Sequence, residues 1–170
     1  MPSRAQQRIE SPSEANCANT GKDKARSGAD TVTALKNLWM SHTQVSESAM
    51  RSLYDDTVVF RDPANVITGI DRLVEHTLKL YGALESCHFN YIDEVFGEDR
   101  AAIRWVMTFV HPRLNGGKPV DVRGMTYIRW QGDKIVAHED AFDVGAMFYE
   151  NVPLLGRLIS GLRKRLTASH

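Results

Sequence analysis

Two acidic segments hold the residues best suited to chemistry: Phe60-Arg61-Asp62-Pro63 and His138-Glu139-Asp140-Ala141-Phe142-Asp143. Their aspartates Asp62 and Asp140 stand 78 positions apart, each in or beside a stretch that reads as β-strand. Acidic residues are disfavoured there unless something requires them. An aspartate on the inner face of a sheet is either a hydrogen-bonded structural group or a proton-transfer group with a tuned pKa. Asp62 precedes a proline, where an Asx side chain also caps the turn. As a functional group it would move a proton between carbons next to a carbonyl. His138 and Asp140, two apart on a strand, point the same way. They form either a proton-relaying dyad, with the carboxylate fixing the imidazole tautomer, or a satisfied polar pair. His-x-Asp also opens one kind of iron-binding triad. The second histidine would have to be His111, at a strand end, or His170, at the terminus, so neither a metal nor any other cofactor is expected.

These groups need a scaffold, and the chain supplies one. Residues 1–29 are polar, with Ile9 the one large aliphatic residue after Met1, and read as a disordered tail. Residues 30–153 read as the folded domain. Asp30 is the expected N-cap of a first helix carrying Leu35, Leu38 and Trp39. A second helix ends near Tyr54-Asp55-Asp56, and Thr57-Val58-Val59-Phe60 forms a short strand that stops at Asp62-Pro63. Gly69 introduces a third helix, with Leu73, Val74, Thr77 and Tyr81 on its apolar face and His76 on its polar one.

Strands follow over 86–96, 100–111, 118–130 and 134–142, broken by Gly97-Glu98-Asp99, Asn115-Gly116-Gly117 and Gln131-Gly132-Asp133. Tight glycine turns between long strands imply an antiparallel sheet. On 100–111 the residues Ala101, Ile103, Trp105, Met107 and Phe109 share the buried face. On the last strand Val136, His138, Asp140 and Phe142 share one face, while Ile135, Glu139 and Asp143 take the other. Trp39, Phe60, Tyr81, Trp105, Met107 and Phe109 would line an apolar pocket or serve as ordinary core. Residues 154–166 read as an amphipathic basic helix, for packing on a protein surface or for contact with an anionic membrane surface.

Composition narrows the partners. Lys+Arg and Asp+Glu both number 21 among 170 residues, a balance unlike that of a nucleic-acid-binding domain. No apolar run approaches the ~20 residues of a membrane span, and no secretory signal is read at the N-terminus. Cys17 in the polar tail and Cys87 in a strand make a poor disulfide pair, so a reducing, cytoplasmic setting is expected. Cys87 reads as a small buried hydrophobe.

The order of elements resembles the nuclear transport factor 2-like superfamily, closest to its SnoaL-like and ketosteroid-isomerase-like members. Tyr54-Asp55-Asp56 leading into Phe60-x-Asp62-Pro63, Gly69, Gly124, Lys134-Ile135 and the 138–143 segment carry that resemblance over about residues 31–155. It implies an α+β roll: a cone-shaped, curved antiparallel sheet with N-terminal helices over its concave face. It also implies a homodimer and a cofactor-independent isomerase, cyclase or hydrolase acting on an apolar carbonyl compound. Asp62 falls at the general-base position of ketosteroid isomerases, the worked case of aspartate pKa tuning. Asp140 resembles the last-strand acid/base aspartate of SnoaL-like cyclases. Thr126 falls near the oxyanion-hole position, making Thr126 or Tyr81 the expected hydrogen-bond donor to substrate. No tyrosine stands near Leu38-Trp39, and Val106 and Thr108 replace the Arg-x-Asp pair of the epoxide hydrolases. With the set incomplete, a non-catalytic ligand-binding or protein-interaction module of the same fold is the alternative reading.

Overall fold

The computed structural model describes residues 26–40, 43–147, 149, 161 and 165. The expected tail up to residue 25 and most of the expected helix at 154–166 lie outside the described residues. Helix α1 (Gly28–Trp39) begins two residues earlier than the cap read at Asp30. Ser27 is the cap: its hydroxyl accepts from Asp30 N, and the Asp30 carboxylate accepts from Ser27 N, both at 3.2 Å. Asp30 is therefore the far half of a reciprocal capping box, inside the first turn.

Helix α2 (Glu47–Leu53) passes directly into strand β1 (Tyr54–Arg61). The strand starts three residues before the β-branched run, and it does so because it pairs with β6 (Lys134–Phe142), Tyr54 lying opposite Ile135. A tertiary ladder has overridden local propensity, and it puts Tyr54 into the core. Strand β2 (Val66–Thr68), helix α3 (Ile70–Gly82), β3 (Ser86–Phe96), β4 (Arg100–Val110) and β5 (Val120–Gln131) complete the elements ahead of β6. A short helix α4 (Val144–Met147) follows β6.

The six strands form one curved sheet in the order β2-β1-β6-β5-β4-β3. The meander β3 to β6 is antiparallel, as the glycine turns imply, and Gly132 at φ +60° takes the left-handed step in the two-residue turn between β5 and β6. Strand β1 adds a parallel pairing to β6.

Helices α1, α2 and α3 pack on this sheet. Two apolar clusters result: one joins α1, α2 and the start of α3 to β1 and the β4–β6 turn end, the other lies under the end of α3 against β3–β5. Trp39, Val45 and Tyr91 touch both. The register shifts in three of the pairings, and the shift on β6 bears on the inner face that carries His138. Arg129 faces Ala137 but Trp130 faces Ile135, so β6 carries an extra residue at Val136. That bulge turns Ile135, which parity puts on the face opposite His138, to the same buried side as His138.

Candidate active site

Between the helices and the sheet lies a cavity of about 150 Å³. Of the ten residues singled out from the sequence, nine line it: Trp39, Phe60, Asp62, Tyr81, Trp105, Met107, Thr126, His138 and Asp140. Phe109 does not; it lies further along β4, in the wall of a neighbouring chamber. His76, read as a surface residue, is half-buried and lines the cavity together with Asn65.

Asp140 and His138 are brought together by the inner face of β6. His138 Nε2 stands 3.0 Å from Asp140 Oδ1, with the imidazole 3% and the carboxylate 21% exposed. Thr126, the register partner of Asp140 across β5, donates its hydroxyl to the same oxygen at 2.5 Å. Trp105 Nε1 in turn donates to Thr126 Oγ1 at 2.8 Å. On the other side of the imidazole, Tyr54 Oη meets His138 Nδ1 at 2.8 Å, and Trp39 Nε1 donates to Tyr54 Oη at 3.0 Å.

The donors fix the sense of this chain. Both indoles can only donate. The Asp140 carboxylate can only accept, so Nε2 of the imidazole donates to it; in the neutral imidazole Nδ1 then accepts from the Tyr54 hydroxyl, which itself receives from Trp39. Burial pushes the Tyr54 phenol well above its ordinary range, which keeps the proton needed for that role. Oδ1 of Asp140 therefore accepts two hydrogen bonds, while no described residue donates to Oδ2. The expected role of Thr126 as a donor to substrate meets a competitor here, because its proton is already directed at Asp140. The rings of Trp39, Tyr54 and Phe60 surround His138, with centroids 5.0–6.1 Å away.

Asp62 sits differently. Its Oδ1 accepts from Ala64 N and Asn65 N, both at 2.7 Å, and Asn65 Nδ2 lies 3.1 Å from each carboxylate oxygen. These bonds close the turn at Pro63, the capping geometry that an Asx-Pro pair favours. Tyr81 is buried, and desolvation raises its phenol well above the ordinary range; it also hydrogen-bonds the thiol of Cys87, itself pushed up by burial to about 12. Among the described residues no group of three His, Cys, Asp or Glu is placed to hold a metal ion. None of the described helices is long and apolar enough to cross a membrane.

Tyr54 is the residue that sequence reasoning left without a role. Its one sequence signal was the Tyr-Asp-Asp segment before the first strand, and its partner His138 lies 84 positions away.

The comparisons with known proteins agree with this architecture. The SnoaL-like domain family matches residues 37–138, more than half of the chain. A putative SnoaL-like polyketide cyclase from Jannaschia sp. CCS1 superposes with a TM-score of 0.67 at 14% identity, covering 77% of this chain and 95% of that one. A protein with a ketosteroid isomerase-like fold from Catenulispora acidiphila DSM 44928, solved with trimethylamine, gives 0.64 at 18% identity, with 73% and 94% covered. A nuclear transport factor 2-like protein of unknown function from Exiguobacterium sp. 255-15 gives 0.56 at 22% identity, with 67% and 98% covered. No curated protein matches the chain. The structural likenesses carry the fold and the family match carries the lineage: the chain belongs to the SnoaL-like domain family.

Proposed function

We propose that this protein catalyses proton transfer on a small apolar carbonyl compound, with Asp140 as the acid/base group. One observation carries the reading: a mostly buried carboxylate, in an apolar cavity, whose Oδ1 is held by Thr126 and His138, while among the described residues none donates to Oδ2. Oδ2 would take a proton from the carbon next to the carbonyl, and the electron pair left behind would move into the carbonyl to form an enolate. Return of the proton to another carbon gives an isomerisation; attack of the enolate carbon on a second carbonyl gives a cyclisation. The two bonds to Oδ1 hold the carboxylate in place through the transfer, and Tyr54 holds the imidazole. Tyr81 is the candidate donor to the developing oxyanion. Its present acceptor is a thiol, a weak one that a carbonyl oxygen can replace. Asp62 lines the same cavity as a second carboxylate.

The test is exchange of α-protons in D2O, followed by proton NMR over a panel of cyclic ketones such as 2-tetralone. Wild-type protein is expected to exchange at least one of them, and Asp140→Asn to lose that exchange while still binding the ketone. The engagement of Asp62 at its own turn favours a second reading, a binding module without chemistry. Binding seen as quenched tryptophan fluorescence, with no exchange of any ketone by wild type, would establish that second reading instead.

A further inference from the structure

Beside the reactive cavity lies a second chamber of about 270 Å³, and its walls are almost wholly apolar. Ala83, Leu84, Cys87, Phe109, His111 and Leu114 line only this chamber, and Leu80, Tyr81, Met107 and Met147 line both. These four shared side chains stand between the chambers, and two of them are methionines, whose unbranched chains change rotamer at little cost. The one phenol in that partition, Tyr81, is already paired with the Cys87 thiol in the chamber wall.

We infer that the two chambers form one bipartite site, in which the second takes the hydrocarbon tail of the substrate whose oxygenated ring reacts at Asp140. The volumes set the division. An apolar cavity of about 150 Å³ holds benzene, so the reactive chamber accommodates one ring. At the same scale the larger chamber accommodates about ten further carbons. A fused polycycle as rigid as a steroid would have to cross the partition in a straight line, whereas a flexible alkyl chain turns around Tyr81. The substrate class is therefore a single oxygenated ring bearing an aliphatic chain.

This inference rests on the Asp140 reading for which end reacts, but its test does not need turnover. Dissociation constants for 4-alkylphenols, from methyl to octyl, are measured on the full chain by quenching of its tryptophans, two of which line the reactive chamber. In wild type the constant is expected to fall about three- to fourfold per added methylene until the chamber is full. Leu114→Trp and Leu84→Trp, which fill the chamber from two sides, are expected to flatten that slope below about 1.5-fold per methylene while leaving 4-methylphenol within twofold of wild type. A flat series in wild type, or an unchanged slope in both filled variants, overturns the tail chamber. Should neither variant fold, methyl-¹³C leucine spectra of wild type decide: 4-octylphenol must shift Leu84 and Leu114, which line the second chamber and not the first, and 4-methylphenol must not. A normal slope with no ketone exchange sinks only the acid/base reading, and exchange with a flat slope sinks only the tail.

Discussion

Asp140 and Asp62 line one cavity, yet opposite kinds of structure hold them. Every partner of Asp62 lies within three residues, so its geometry is written in a four-residue turn. Asp140 is held by His138 and Thr126, and these in turn by Tyr54 and Trp105, residues brought from β1, β4 and β5. A carboxylate fixed by its own turn is stable anywhere that turn occurs. One fixed by four elements exists only in the finished fold, and it can keep an oxygen free because the others are pinned. Buried polar networks of this kind are costly unless every member is satisfied, and here the donors run in one consistent direction.

The contrast can be broken most strongly at Asp140 itself. Asp140→Asn keeps an oxygen to accept from Thr126 and His138 but loses the basic oxygen. Turnover is expected to fall by ~10²–10⁴-fold, the range for removing a general base, while urea midpoints stay close to wild type. A variant that keeps a tenth of wild-type activity would end the proposed role.

Gly124→Ala comes next and attacks the scaffold of the same carboxylate. Gly124 faces Trp105 across the β4–β5 ladder, and a Cβ there would lie 2.2 Å from the indole. The bare backbone is what lets the ring lie across it and reach Thr126. Displacing the indole is expected to cost about 1–3 kcal/mol by overpacking, read from urea denaturation, with activity lost alongside. A change within ~0.5 kcal/mol would show that the ring has room to move.

Tyr54→Phe removes one hydroxyl and leaves a buried imidazole nitrogen and the Trp39 indole without their partner. The expected cost is about 1–3 kcal/mol, and ¹⁵N spectra of His138 should lose the single Nε2–H tautomer expected in wild type. The same variant carries a pH signature. The native phenol holds its proton above the unfolded value of about 10, so unfolding releases a proton in alkali. Tyr54 thus leaves stability unchanged below about pH 10 and lowers it above, by ~1.4 kcal/mol per pH unit until the native phenol ionises. Alkaline denaturation should be shallower in Tyr54→Phe than in wild type; equal slopes would mean the phenol is not desolvated.

Much of this contrast is legible in the sequence alone. The alternation along β4 put Ile103, Trp105, Met107 and Phe109 inside, and i, i+2 spacing put His138 and Asp140 on one face, because both follow from strand geometry within one segment. What stayed hidden is what depends on two segments. The tie from Tyr54 to His138 spans 84 positions, and the early start of β1 exists only because β6 pairs with it. The bulge at Val136 shifts parity without any glycine or proline to mark it, so alternation alone puts Ile135 on the face opposite His138. His76 lies on the polar side of its helix by periodicity, and only the position of the cavity brings it to the wall.

The smallest effect is expected at Asp62. In Asp62→Asn the amide oxygen still accepts from Ala64 N and Asn65 N, and only the contact of the second carboxylate oxygen with Asn65 Nδ2 is lost. A hydrogen bond to a carboxylate contributes ~1.5–3 kcal/mol, and half-burial puts this one at the low end. Turnover within about threefold of wild type is the expected outcome if the carboxylate serves the turn. A loss of a hundredfold at unchanged stability would make Asp62 a second general base. The two carboxylates of the cavity would then differ in how they are held but not in what they do.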